Sequence, residues 1–85
     1  MVTYSVHFVA DLAAIPEATR FELKRTMNQV AEAVSTISPG NPFWASIHSS
    51  VLQIDVAGFR LTYRILPRSA ELHVIDFVAV AGRVR

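Results

Sequence analysis

The 85-residue sequence contains no cysteine, only three glycines, a single lysine and no long apolar run. Without cysteine, neither a disulfide framework nor a thiolate metal site is available. No apolar run approaches the roughly 20 residues that a membrane-spanning helix needs. The N-terminal segment also lacks the basic stretch followed by an apolar stretch that a secretory signal would have. We therefore expect a cytoplasmic protein with no membrane partner.

Charged residues are also scarce, at 18% of the chain, whereas hydrophobic residues make up 52%. This composition excludes a disordered tail, and the length predicts a single small domain over 1–85. The net charge of +1 does not by itself indicate a nucleic-acid-binding protein, so any basic site must be local. The high apolar content predicts that a partner, or a second copy in a homodimer, covers part of the surface.

Hydropathy patterns predict four strands and a long helix. Alternating apolar and polar residues are typical of half-buried strands, and they occur in "VTYSVHFV", "VLQIDV", "FRLTYRIL" and "ELHVIDFVAV". Between the first two strands, the period changes to that of a helix over 17–37, with a stripe formed by Leu23, Met27, Val30, Val34 and Ile37. A short helical turn over 11–14 would precede Pro16, and "SPGNP" would end the long helix.

The order of these elements predicts an α+β fold. Two tight turns join the last three strands, which is typical of an antiparallel meander. With the helical region between the first two strands, the order becomes β-α-α-β-β-β. We expect an antiparallel sheet of about four strands with a helical hairpin packed on one face. Alternation places Leu61 and Tyr63 on the core face, and Arg60 and Arg64 on the opposite face.

Nearly the whole chain resembles the RelE/ParE superfamily, the small toxins of bacterial type II toxin–antitoxin modules. The segments that carry the resemblance are "YSVHF", "ADLAAIPEATRFELKRTMNQVAEAV", "VLQIDVAGFRLTYRI" and "VIDFVAVAGRVR", in that order. The resemblance implies a growth-inhibiting toxin that a cognate antitoxin wraps and neutralises, without a cofactor. In one branch, the toxin enters the ribosomal A site and cleaves mRNA. In the other branch, the toxin binds DNA gyrase and is not a nuclease.

The ribonuclease branch needs cations at the scissile phosphate and groups that move protons. The resemblance assigns Arg60 to the phosphate and Arg83 to a second catalytic position. Arg64, Arg85 and Gln53 would bind the substrate together with Arg60. In a purely structural interpretation, Arg64 would instead pair with a carboxylate of the last strand, either Glu71 or Asp76.

Histidine is the other residue type suited to proton transfer near neutral pH. His48, in the polar segment "SIHSS", is a weak candidate for a catalytic base. His7 and His73 are predicted on strands, on the face away from the core. The sequence spacing pairs none of the three with a carboxylate or a second metal ligand, so we expect no metal site.

Two departures from the ribonuclease pattern leave the mechanism open. Gln53 and Asp55 stand in the strand where that branch usually carries basic side chains, and Asp55 would repel RNA unless it pairs with Arg60 or acts as a base. After Arg83, the sequence offers no match for the late Tyr or His of that branch. The sequence therefore predicts a toxin of this superfamily, with three alternatives for its action: mRNA cleavage, gyrase inhibition, or a degenerate, non-toxic interaction module.

Overall fold

The computed structural model describes residues 2–47 and 50–80, which form one four-stranded sheet and two helices. The strands are β1 (Ser5–Phe8), β2 (Leu52–Val56), β3 (Phe59–Leu66) and β4 (Glu71–Ala79), and the helices are α1 (Glu17–Ser35) and α2 (Phe43–Ser46). The predicted α+β class, the four strands and the order β-α-α-β-β-β are confirmed. Neither helix is long and apolar enough to cross a membrane.

The strand order in the sheet is β1-β4-β3-β2. β2, β3 and β4 form the predicted antiparallel meander, whereas β1 lies parallel to β4. The sheet is therefore mixed rather than wholly antiparallel. The reason is the path of the chain. The connection through α1 leads from β1 to the opposite edge of the sheet, where β2 runs in the same direction as β1, and the two reversals from β2 through β3 leave β4 parallel to β1.

The helical region contains one long helix rather than a helical hairpin. The segment predicted as a short helical turn over 11–14 forms a turn without a helix, in which Asp11 Oδ1 accepts a hydrogen bond of 2.9 Å from the Ala13 N–H and the Leu12 carbonyl accepts one of 3.0 Å from the Ile15 N–H. Such a turn competes with helical hydrogen bonding. Pro16 then caps α1, and the second helix, α2, is only four residues long and follows the "SPGNP" turn. The segment before Pro16 instead contributes Leu12 and Ile15 to the core.

The core lies between α1 and one face of the sheet. The predicted apolar stripe of α1 is confirmed in its buried members, which are Leu23, Met27, Ala31 and Val34. From β3 and β4, the sheet contributes Leu61, Tyr63, Ile65, Leu72 and Val74. Since α1 packs on this face, we call it the inner face, and we call the opposite sheet surface the outer face.

A β-bulge interrupts the pairing of the two central strands. Thr62 pairs with Asp76, whereas the next residue, Tyr63, pairs with Val74, so Ile75 is an extra residue in β4. Ile75 and Asp76 are consequently both exposed, although they are neighbours in one strand. Because of the extra residue, Val74 and Phe77 both lie on the inner face, one on each side of the bulge. The bulge also separates the two ends of the outer face.

Truncation of Leu61 should strongly destabilise the domain, because this side chain is fully buried under α1. Leu61→Ala is expected to lower the free energy of unfolding by about 2–5 kcal/mol, from lost burial and the cavity left behind. Val78, which is 52% exposed, provides the matched control, and Val78→Ala should change the free energy of unfolding by no more than about 0.5 kcal/mol. Urea unfolding of the three proteins measures both effects, and equal losses would contradict this packing.

Candidate functional site

The outer face of the sheet carries most of the polar and charged side chains of the strands. Its members are Ser5 and His7 of β1, Gln53 and Asp55 of β2, Arg60, Thr62 and Arg64 of β3, and Glu71, His73 and Asp76 of β4. None of the described helices packs on this surface, since α1 occupies the inner face. The residues predicted to bind substrate are thus brought onto one open surface wherever the structure describes them.

Arg60 lies on this face, as predicted, but a carboxylate already engages it. Its Nε–H donates to Asp55 Oδ1 at 2.8 Å, and its Nη2 donates to Asp55 Oδ2 at 3.1 Å, across the β2–β3 pair. The Asp55 hydrogen bond, together with the negative charge of that residue, raises the pKa of the Arg60 guanidinium. Asp55 thus engages two of the five N–H donors of Arg60, and a phosphate that binds the remaining donors would lie beside a carboxylate that repels it.

Unlike Arg60, Arg64 and Gln53 form no hydrogen bond with a carboxylate among the described residues. Gln53 makes only a long contact, 3.4 Å from its Nε2 to Thr62 Oγ1. Arg64 is exposed and stands opposite His73 in the β3–β4 register. It forms no ion pair with any residue of 2–47 or 50–80, so the predicted pairing with a β4 carboxylate is wrong for the described residues.

Three residues with predicted site roles lie outside the described part of the chain. They are His48, the weak candidate base, and the two C-terminal arginines, Arg83 and Arg85. Their roles stay predictions.

The other end of the outer face holds a cluster that the sequence did not predict. Parallel pairing of β1 and β4 sets Ser5 opposite Glu71 and His7 opposite His73. His73 Nε2 lies 2.9 Å from Glu71 Oε1, and His7 Nε2 lies 3.3 Å from Glu71 Oε2. The two imidazole rings are 5.4 Å apart between centroids. One carboxylate thus bridges two histidines, and we call these three residues the His–Glu–His cluster.

Glu71 is held as a carboxylate by its neighbours. The hydrogen bond from His73 is the main cause that lowers the pKa of Glu71, while partial burial acts in the opposite direction. A hydrogen bond from Ser69 lowers this pKa further, as does the positive charge that His7 and His73 carry when they are protonated. A carboxylate can only accept hydrogen bonds, so His73 must donate through Nε2–H. The Nδ1 of His73 is then left as an acceptor.

Ser5 also touches the cluster, but the geometry does not activate it as a nucleophile. Its Oγ lies 3.1 Å from the same His7 Nε2 that faces Glu71. One imidazole nitrogen cannot accept a proton from serine while it donates one to a carboxylate. The cluster therefore offers two imidazoles and a carboxylate without a protein nucleophile. Within the described ranges, no group of three His, Cys, Asp or Glu side chains is arranged to hold a metal ion.

The cluster leaves only a faint signal in the sequence. Glu71 and His73 are two residues apart, as are Ser5 and His7, so each pair shares a face of its strand. What joins the two pairs is the parallel contact of β1 with β4, between segments more than 60 residues apart in the chain. Alternation within a strand carries no information about that neighbour.

The lowered pKa of Glu71 predicts a pH dependence of stability. A carboxyl group with a lowered pKa in the folded state stabilises the fold above its unfolded pKa, and this contribution is lost as the pH falls through the folded pKa. Wild type should therefore be more stable than Glu71→Gln at about pH 7, and the difference should disappear toward about pH 3. Urea unfolding across this range tests the expectation. A difference that is undiminished at about pH 3 would contradict the hydrogen bonding described.

Comparison with known proteins does not place the chain in a family: no family model, curated protein or solved structure matches it.

Proposed function

We propose that the chain is the toxin of a type II toxin–antitoxin module, which acts on RNA in the cytoplasm and is neutralised by a cognate antitoxin. The observation that supports this proposal most is the outer face of the sheet. There, Arg60, Arg64, His7 and His73 lie on one solvent-exposed surface that no described helix covers. Cationic and hydrogen-bonding side chains on an open surface suit a single-stranded polyanion.

Arg64 is the better candidate for the phosphate contact. Its guanidinium carries five N–H donors and binds a phosphate through two parallel hydrogen bonds when no carboxylate competes. Arg60 has the same chemistry, but two of its five N–H donors, at Nε and Nη2, are engaged by Asp55. Binding at Arg60 would also bring the substrate phosphate close to a negative charge. The resemblance favours Arg60, whereas the contacts favour Arg64.

Exposed apolar side chains support a protein partner. Phe21 on α1 is 67% exposed, and Val2 is 60% exposed. Phe21 also lines a groove of about 760 Å³ together with Tyr4, Lys24 and Glu32. Aromatic side chains of this kind are typical of the buried part of protein interfaces. An antitoxin that covers Phe21 would remove this apolar surface from water, and a second copy of the chain is the alternative occupant.

Induced expression of the chain tests the function. We expect growth arrest together with new RNA 5′ ends, detected by end-mapping of total and ribosome-associated RNA. Arg64→Ala should relieve both effects at an equal protein level, because it removes the accessible phosphate contact. Arg60→Ala should weaken them less, because Asp55 already occupies that guanidinium. Arg25→Ala removes the same charge from α1, where Arg25 pairs with Glu22, and is the control that should change neither effect.

Two other outcomes would contradict the proposal in different ways. Arrest without RNA cleavage would contradict an RNA target and would favour DNA gyrase or another protein target. Normal growth with abundant, folded protein would contradict a toxin and would favour a non-toxic interaction module.

A further inference from the structure

We propose that the His–Glu–His cluster, with Arg64 beside it, is an acid–base site that cleaves ribonucleotide phosphodiesters. The inference rests on the proposed RNA target. It places the reacting groups at the β1–β4 end of the outer face, away from the Arg60–Asp55 pair. The pairing of His7 with His73 and of Ser5 with Glu71 builds the site across two strands.

His73 has the geometry of an oriented general base. Glu71 Oε1 accepts the Nε2–H of His73 at 2.9 Å, which fixes the tautomer and leaves the lone pair on Nδ1. A carboxylate that orients an imidazole in this way is the common support of a catalytic histidine. The His73 side chain is 31% exposed, so a substrate hydroxyl has access to it.

His7 supplies the second proton-transfer group. Its side chain is 49% exposed, more than that of His73, and its ring centroid is 5.4 Å from the His73 ring. The two rings are therefore close enough to contact one phosphodiester group. Since Nε2 of His7 faces the same carboxylate as His73, Glu71 holds the acid and the base together.

The nucleophile has to come from the substrate, because Ser5 is not activated. RNA provides it as the 2′-hydroxyl next to each phosphate, whereas DNA has no such group. His73 Nδ1 takes the 2′-OH proton as the 2′-oxygen attacks phosphorus. The P–O5′ bond breaks as His7, protonated on both ring nitrogens, donates its Nδ1 proton to O5′. The products are a 2′,3′-cyclic phosphate and a 5′-hydroxyl end, and no further reactant is required.

Arg64 completes the site from the neighbouring strand. It stands opposite His73 in the β3–β4 register and is exposed, so its guanidinium can neutralise the non-bridging oxygens as negative charge develops on them. A cavity of about 440 Å³ along the edge of β1 is lined by His7 and Lys24. Lys24 would be a second cation for the phosphate of the neighbouring nucleotide. β4 carries a second carboxylate on the outer face, Asp76, but it pairs with Thr62 on the other side of the bulge from Arg64 and His73.

The test is an assay of the purified full chain on a DNA oligonucleotide that contains one ribonucleotide, with and without ribosomes. We expect a single cut at the ribonucleotide, a cyclic phosphate in the product by mass spectrometry, and no cut in the all-deoxy oligonucleotide. His7→Ala and His73→Ala should each lower the rate by about 10²-fold or more. Arg25→Ala, which removes the same charge from α1 where Arg25 pairs with Glu22, is the control and should retain the activity.

A modified leaving group separates catalysis from a structural effect of the variants. A 5′-bridging sulfur leaves without protonation, so this substrate should restore the rate of His7→Ala but not that of His73→Ala. Restoration of neither, or of His73→Ala instead, would overturn the assigned roles. Circular dichroism and urea unfolding of each variant establish that it is folded.

The remaining outcomes distinguish this inference from the proposed function. Absence of cleavage by the folded wild-type chain, with and without ribosomes, would overturn the acid–base site. If expressed protein arrests growth and cuts RNA, and His7→Ala and His73→Ala do so equally well, the cluster is not the active site, although the RNA-directed toxin stands. Arrest without any RNA cut would overturn both.

Discussion

The parallel contact between β1 and β4 is the constraint on which the candidate site depends. It joins the first strand to the last and sets His7 opposite His73 and Ser5 opposite Glu71. The inner face maintains this register, because Val6 and Phe8 pack against the core from the same short strand. A shift of one residue would turn these apolar side chains to solvent and the histidines to the core. The core thus positions the polar groups on the other side of the sheet.

The two ends of the outer face contain similar residue types with different partners. At one end, Arg60 and Asp55 form a two-bonded ion pair that leaves little net charge for a ligand. At the other end, one carboxylate serves two imidazoles, while Arg64 has no carboxylate partner among the described residues. The bulge at Ile75 lies between the two ends. The partners of each side chain, rather than the overall charge of +1, distinguish a surface ion pair from a candidate site.

Much of the fold follows from patterns that are local in the sequence. Alternation placed Arg60 and Arg64 on the outer face and Tyr63 in the core, and the helical stripe identified the buried side of α1. The predicted helical hairpin is absent from the described residues for local reasons: the Asp11 side chain accepts a hydrogen bond within a turn, and the long helix α1 begins only after Pro16. The candidate site was missed for a different reason. Its halves are local pairs of residues, but the strand contact that joins them is not local, and alternation does not reveal which strands become neighbours.

Nuclear magnetic resonance of the imidazole nitrogens tests most directly whether Glu71 bridges His7 and His73. Long-range proton–nitrogen spectra of the wild type near neutral pH should show His73 in the Nε2–H tautomer. In Glu71→Gln, the signals of both His7 and His73 should shift together. Two tautomer-averaged imidazoles that do not respond to Glu71→Gln would contradict the bridge, and with it the proposed acid–base site.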